Sequence, residues 1–334
     1  MDEIQIIKKL FKSLELVRKK NVPACDNAIS YSENGKKYSN QFIIMIKPEC
    51  LYSRNENTKE IIKLLINNLI KSNIEIGAAF SMNGRYIAQN SIIENQYFML
   101  NKYAHLGLGS VPLNTVRNLE SRVEKVNVIG AFNFLELYSD HFDEALLERI
   151  AHKNGSEKLG NGLYLLHLIH DNIPYGIINA FHPYQKKHFC NENSNLILLE
   201  CNSNQPYWKL DEEIIGNFKP SDARENSIRS MLFRNQEKLG ITINTMFNGV
   251  HVSPSPLEGL KALQLYFKGI DIIDTNLGNQ LVELGFNYNQ IQNLLNNPYV
   301  IEGNKHVTLF DKVEGRDTEE ILEYLSKEKM FTVL

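Results

Sequence analysis

The sequence predicts an α+β fold, a sheet with helices mainly on one face. Three observations point there. Phe42 to Ile46 is a short, continuous apolar run stopped by Lys47-Pro48, the pattern of a buried strand. Segments with helical apolar spacing alternate with further runs of this kind. Leu163 to His170 and Tyr175 to Phe181 flank Asp-Asn-Ile-Pro, a hairpin signal with a four-residue turn.

The elements follow in order. Ile4, Ile7, Leu10, Phe11, Leu14 and Val17 recur at helical spacing and predict an amphipathic first helix. Asn21 to Asn40 is polar, carries Pro23 and Gly35, and predicts a linker. After the Phe42 strand, Asn57 with Glu60 predicts a capping box for a helix through Ile61, Leu64, Leu65 and Leu69. Ile74 to Phe80 predicts a second strand, Tyr86 to Lys102 and Asp143 to Ile150 helices, and Leu196 to Cys201 another buried strand. Ile241 to Phe247 is a weaker strand candidate. Ser255-Pro256-Leu257-Glu258 is a strong helix start, with Ser at the N-cap, Pro at the first position and Glu at the third. The remainder predicts a helix around Gln290 to Leu295, a strand at His306 to Phe310, and a helix capped by Asp317 with Glu320.

Composition bounds the function. The chain has 334 residues and a net charge of −3 from 36 basic and 39 acidic side chains, so a nucleic-acid backbone footprint is not expected. No stretch approaches the ~20 apolar residues of a membrane span. Cys25, Cys50, Cys190 and Cys201 lie far apart and read as reduced thiols of a cytoplasmic protein.

Three side chains stand out for chemistry. His251 precedes the Ser255 helix start by four residues, beside Asn248, Gly249, Ser253 and Ser255. Backbone N–H groups and the positive end of the helix dipole favour an anion there, and an imidazole can carry a covalent intermediate. Taken alone, His251 reads first as a polar loop histidine with ordinary capping, since histidines near helix N-termini are common. Arg229 offers bidentate phosphate recognition, or a surface ion pair. Lys47, at a strand exit, either snorkels or reaches into a cleft at the sheet end.

Together these segments resemble the nucleoside diphosphate kinase family. Phe42 to Pro48 resembles its opening strand and Lys-Pro, and Gly216 to Pro220 its Gly-x-Thr-x-Pro turn. Pro220 to Arg229 resembles the segment ending in (Ser/Thr)-Ile-Arg, Asn248 to Ser255 the Asn-x-x-His-Gly-Ser-x-Ser loop, and Leu265 to Phe267 the aromatic end of the next helix. The resemblance covers roughly residues 41–85 and 195–267.

The resemblance implies a ferredoxin-like βαββαβ antiparallel core that binds a nucleoside triphosphate with Mg²⁺. His251 would take the γ-phosphoryl group, Lys47 would contact that phosphate and the sugar, Arg229 would hold phosphate oxygens, and Asn248 would bond the 3′-hydroxyl. Tyr97 aligns with the family's phosphate-side tyrosine, and Ser253 shares the nucleotide-binding loop. Residues 1–40 would be an N-terminal helix and linker, 41–285 the kinase-like domain with an inserted hairpin and helical subdomain at about 104–194, and 286–334 a C-terminal helical extension. The family usually forms symmetric oligomers, so a homo-oligomer is implied.

Departures from the pattern are specific. The family's glutamate behind the histidine falls on Ala262, its phosphate-binding threonine on Phe218, and its glycine after the histidine on Val252. Its arginine before the Gly216 turn falls on or beside Asp211 and Glu212, with Lys209 near. The expected activity is therefore an NTP-dependent phosphotransferase whose acceptor is a nucleotide or another molecule. A different reaction in the same pocket, or nucleotide binding without catalysis, are the alternatives. In the insertion, His167, His170, His182, His188 and Cys190 match no compact zinc spacing, so no metal site is expected. Asn179 to Pro183 is the expected acceptor-recognition segment, whereas Gly107 to Ser110 lacks the strand and lysine of a phosphate loop.

Overall fold

The structure is a computed structural model and describes residues 1–32, 38–52, 55–111, 126–160, 162–267, 269–302 and 305–327. The chain forms two compact units, Met1–Tyr86 with Glu192–Leu334, and Ile87–Asn191 between them in sequence. In chain order the strands are β1 (Cys25–Ile29), β2 (Asn40–Ile46), β3 (Glu75–Asn83), β4 (Asn127–Gly130), β5 (Glu157–Gly160), β6 (Leu163–His170), β7 (Ile173–Ile178), β8 (Asn195–Ser203), β9 (Val250–Val252), β10 (Tyr299–Glu302) and β11 (Lys305–Thr308). The class is α+β, with sheets that are largely antiparallel.

In the first unit the main sheet has the order β1-β3-β8-β2-β9, every neighbouring pair antiparallel. β2 and β3 are thus parallel to each other with β8 between them, joined by the Asn55–Lys71 helix. Its Ile61, Ile62, Leu65, Ile66 and Leu69 are buried against one face, where they share a core with Phe42, Ile44 and Ile46 of β2 and Ile197, Leu199 and Cys201 of β8. Leu10, Leu14 and Val17 of the Glu3–Arg18 helix enter the same core.

Several expectations need correction here. Every residue of β2 and β8 is buried, so both sheet faces are covered rather than one. On the second side the helices Pro256–Tyr266 and Asn276–Glu283 lie against β2. Gly259 permits that approach, since a Cβ there would stand 2.9 Å from the Gln41 carbonyl oxygen. β1 lies within the segment read as a linker; its mostly polar residues hid it, and Asn83 ties it in by accepting from the Ala24 N–H and donating to the Val22 carbonyl. Ile241 to Phe247 is not a strand, and the ladder begins at Val250. The first sheet-crossing helix starts at Asn55, ahead of the expected Asn57 cap. His306 to Phe310 divides between β11 and a helix opened by Thr308.

Beyond Gly285, Ile291, Leu295, Phe310, Ile321 and Leu325 share one core with Leu257 and Leu260. The Ser255 cap forms as expected, its Oγ accepting from the Glu258 N–H at 3.3 Å.

The second unit holds a four-stranded sheet, β4-β7-β6-β5, with β4 and β7 parallel and the other pairs antiparallel. The β6–β7 hairpin is real, but its turn has two residues rather than four. Asp171 and Asn172 take φ of 50° and 61°, and Pro174 pairs with Ile169 inside the ladder. The expected helix over Tyr86 to Lys102 is three short ones, Gly84–Gln89, Ile92–Gln96 and Phe98–Leu106, interrupted at Ser91 with φ of 50°.

Candidate functional site

The site grows from the exit of β2. The strand's last apolar residue, Ile46, is followed by Lys47 and a tight turn over Pro48–Cys50. That turn clamps a peptide 200 residues further on: the Gly249 N–H donates to Glu49 Oε1 at 2.8 Å, and the Gly249 carbonyl accepts from the Lys47 N–H at 2.9 Å. Gly249 has φ of +82°, and a Cβ there would lie 3.0 Å from Cys50 Sγ, so glycine is required at this close approach. Directly after it, β9 pairs with β2 and sets His251 opposite Met45.

Lys47 is 7 % exposed, and its Nζ donates to Asn248 Oδ1 at 2.7 Å while standing 3.9 Å from Glu49 Oε1. Asn248 in turn donates from Nδ2 to the Phe218 carbonyl at 3.3 Å. Arg229, in the first turn of a helix capped by Ser227, donates to the Gly216 carbonyl at 2.7 Å and to the Val250 carbonyl at 3.1 Å. It thereby joins the turn before Pro220 to the strand carrying the histidine.

Charge matches this convergence. Desolvation pulls the Lys47 ammonium below its ordinary range; Glu49 opposes that and Arg229 reinforces it. His251, partly exposed, has its pKa brought down to about 3 by desolvation and then by the Lys47 and Arg229 charges. At neutral pH the imidazole is uncharged and keeps a lone pair, beside the Lys47 and Arg229 side chains.

Lys47, Arg229, Asn248 and His251 are thus brought together. Ser253 is in the same stretch, but its hydroxyl is turned to β2, accepting from the Ile43 N–H at 3.2 Å, which departs from the expected nucleotide contact. Tyr97 belongs to the second unit, where it separates two short helices and packs 6.5 Å from the Phe189 ring. Phe218 is 65 % exposed where the resemblance puts a threonine. Ala262 is buried, and Glu258 one helical turn earlier has its carboxyl raised to about 8 by burial and then by Glu314, with Lys261 opposing.

Glu49 was missed at the sequence level, although a carboxylate two residues after Lys47 was a visible signal. Glu200 was missed too, the one acid in the apolar β8 run. Its Oε1 accepts from Gln41 at 2.8 Å and Asn202 at 2.5 Å.

In the second unit Asn179 is fully buried and holds the surrounding backbone. Its amide donates to the Leu100 and Gly162 carbonyls and its oxygen accepts from the Tyr164 N–H. His182 is buried between Gln185 and Asn101, with its pKa lowered to about 4 by desolvation. His167 is exposed on β6, and the His188 ring packs edge-on to Phe189. Among the described residues no group of three or more His, Cys, Asp or Glu side chains is placed to hold a metal ion, and no helix is long and apolar enough to cross a membrane. No protein-family model, curated protein or solved structure matches the chain.

Proposed function

We propose that the chain is a nucleotide-dependent phosphotransferase built on a ferredoxin-like βαββαβ core of the nucleoside diphosphate kinase kind. The strand order β3-β8-β2-β9 with a helix joining β2 to β3 supports the core. The observation that carries the reaction is the grouping of Lys47, Asn248 and Arg229 about the short strand that bears His251, whose neutral imidazole feels both Lys47 and Arg229.

In this reading the uncharged His251 ring attacks the γ-phosphorus of a nucleoside triphosphate. A nitrogen–phosphorus bond forms as the bond to the bridging oxygen breaks, and the diphosphate leaves with that electron pair. An acceptor oxygen then takes the phosphoryl group and returns the imidazole. Lys47 and Arg229 neutralise charge on the phosphate oxygens, the main demand of phosphoryl transfer. Asn248 exchanges its bond to Lys47 for the nucleotide sugar.

The donor set suits a magnesium–nucleotide complex. Lys47 and Arg229 would face the phosphates, and the near carboxylate, Glu49, is bonded to Gly249, so phosphate oxygens and water would ligate Mg²⁺. Bound that way, Mg²⁺ supplies charge neutralisation on the β- and γ-phosphates.

Phe218 and Ala262 favour a slow enzyme or an unusual acceptor, since losing one preorganised donor costs ~10²–10³ in rate. They also support a second reading, in which the pocket performs another reaction on a nucleotide. Incubation with γ-labelled ATP and Mg²⁺ decides. Acid-labile label on wild type and none on His251→Ala is expected. Equal labelling of both overturns the phosphohistidine, and mass spectrometry of the products then separates another bond cleavage from binding without turnover.

A further inference from the structure

We propose that Glu49 is a positioning residue for this phosphoryl transfer, one carboxylate that fixes both the histidine strand and the lysine ammonium. The inference rests on the phosphotransferase reading and assigns a role to a residue that the resemblance leaves without one.

Glu49 sits in the short turn after β2 and is 6 % exposed. A carboxylate withdrawn from water costs stability unless it is compensated. Here the compensation comes from two groups of the site itself. The Gly249 N–H donates to Oε1 at 2.8 Å, and Lys47 Nζ lies 3.9 Å from the same oxygen. Gly249 stands between Asn248, which accepts from Lys47, and β9, which bears His251. The same turn grips the other face of that residue, because the Gly249 carbonyl accepts from the Lys47 N–H and from the Cys50 thiol. Moving Glu49 would therefore release the peptide that aims the imidazole.

The two contacts ask for different properties. A neutral amide oxygen could accept from Gly249, so the charge serves Lys47. Of the groups that act on that ammonium, Glu49 is the first to favour its protonated form, Cys50 adds to it, and Arg229 opposes them. The Glu49 charge favours the protonated lysine that the triphosphate needs, against burial and the guanidinium.

Two variants divide these roles. Glu49→Gln keeps the acceptor and loses the charge, while Glu49→Asp keeps the charge and shortens the reach. The rate of acid-labile labelling from γ-labelled ATP is followed against pH, with circular dichroism to identify a folded variant. For Glu49→Gln the alkaline limb of the rate is expected to move down by about one pH unit. For Glu49→Asp the limb stays and the rate falls about 10–100-fold, the effect of a slightly misplaced nucleophile. Either variant suffices if the other does not fold. A Glu49→Gln limb at the wild-type pH, or a Glu49→Asp rate equal to wild type, overturns the inference while the phosphotransferase stands. A wild-type chain that takes no label overturns both.

Discussion

Glu200 projects from β8 into the second side of the sheet, its carboxyl out of water and bonded by the Gln41 and Asn202 amides. Gly77 makes room for it, since a Cβ there would meet Glu200 Oε2. Burial raises this carboxyl from 4.5 to about 7, against those hydrogen bonds. Between these pH values the folded protein holds a proton that the unfolded chain has released, so stability falls as pH rises through the window. Glu258 acts in the same direction up to about 8. Urea unfolding should show Glu200→Gln gaining on the order of 2 kcal/mol relative to wild type as pH rises from 5 to 8. A variant as pH-sensitive as wild type would show that Glu200 is charged in the fold. His251 and His182 work at the other end. Their folded values of about 3 and about 4 lie below the ordinary 6.5, so stability falls as pH drops below 6.5. At this scale the sequence exposed Lys47, Arg229, Asn248 and His251, because ordered motifs frame them. It hid Glu49, whose meaning comes from a glycine 200 residues away.

Among elements, legibility followed burial. β2 and β8 are buried at every position and therefore read as unbroken apolar runs. β1 alternates exposed and half-buried residues until Ile29, and with Asp26 and Asn27 inside it no apolar pattern announced a strand. The Ser255 helix start was legible because N-cap chemistry is local. β9 was placed too early because its three residues follow a glycine whose conformation only tertiary contacts impose. Gly249 joins the turn after β2 to β9, and its substitution tests that junction. Alanine at φ of +82° costs about 1–2 kcal/mol, and its Cβ would also press on Leu232 Cδ1 at 2.5 Å and Cys50 Sγ at 3.0 Å. Gly249→Ala is expected to lower stability by ~2 kcal/mol or more and to cut the proposed phosphohistidine labelling beyond what unfolding explains. Unchanged urea midpoints would mean that the junction relaxes freely.

Across the first unit, distant parts of the chain meet at Asp317. Its Oδ1 accepts from Asn40 Nδ2 at 2.7 Å, at the start of β2, and from the Tyr207 N–H at 2.8 Å, where the chain turns after β8. Asn40 answers by accepting from the Thr318 N–H at 2.9 Å. Gln41 accepts from the Asn276 N–H at 2.8 Å, and Tyr31 donates to the Asp274 carbonyl. The sequence marked Asp317 as a helix cap, a local role, and gave no sign that it also ties the sheet to the C-terminal helices. Such ties, with the shared core from Leu257 to Leu325, make these helices part of the unit's stability rather than an appendage. Asp317→Ala would orphan the Tyr207 N–H and remove one acceptor from Asn40, at a cost of about 1–3 kcal/mol for the buried donor. Asp317→Asn keeps an acceptor oxygen and should lose less than half as much. Trp208, the single tryptophan, adjoins Tyr207, so its fluorescence reports on this junction. The urea midpoint by Trp208 fluorescence should fall in the order wild type, Asn variant, Ala variant. If the two variants fall equally, the charge of Asp317 and not its acceptor geometry holds the sheet to the C-terminal helices.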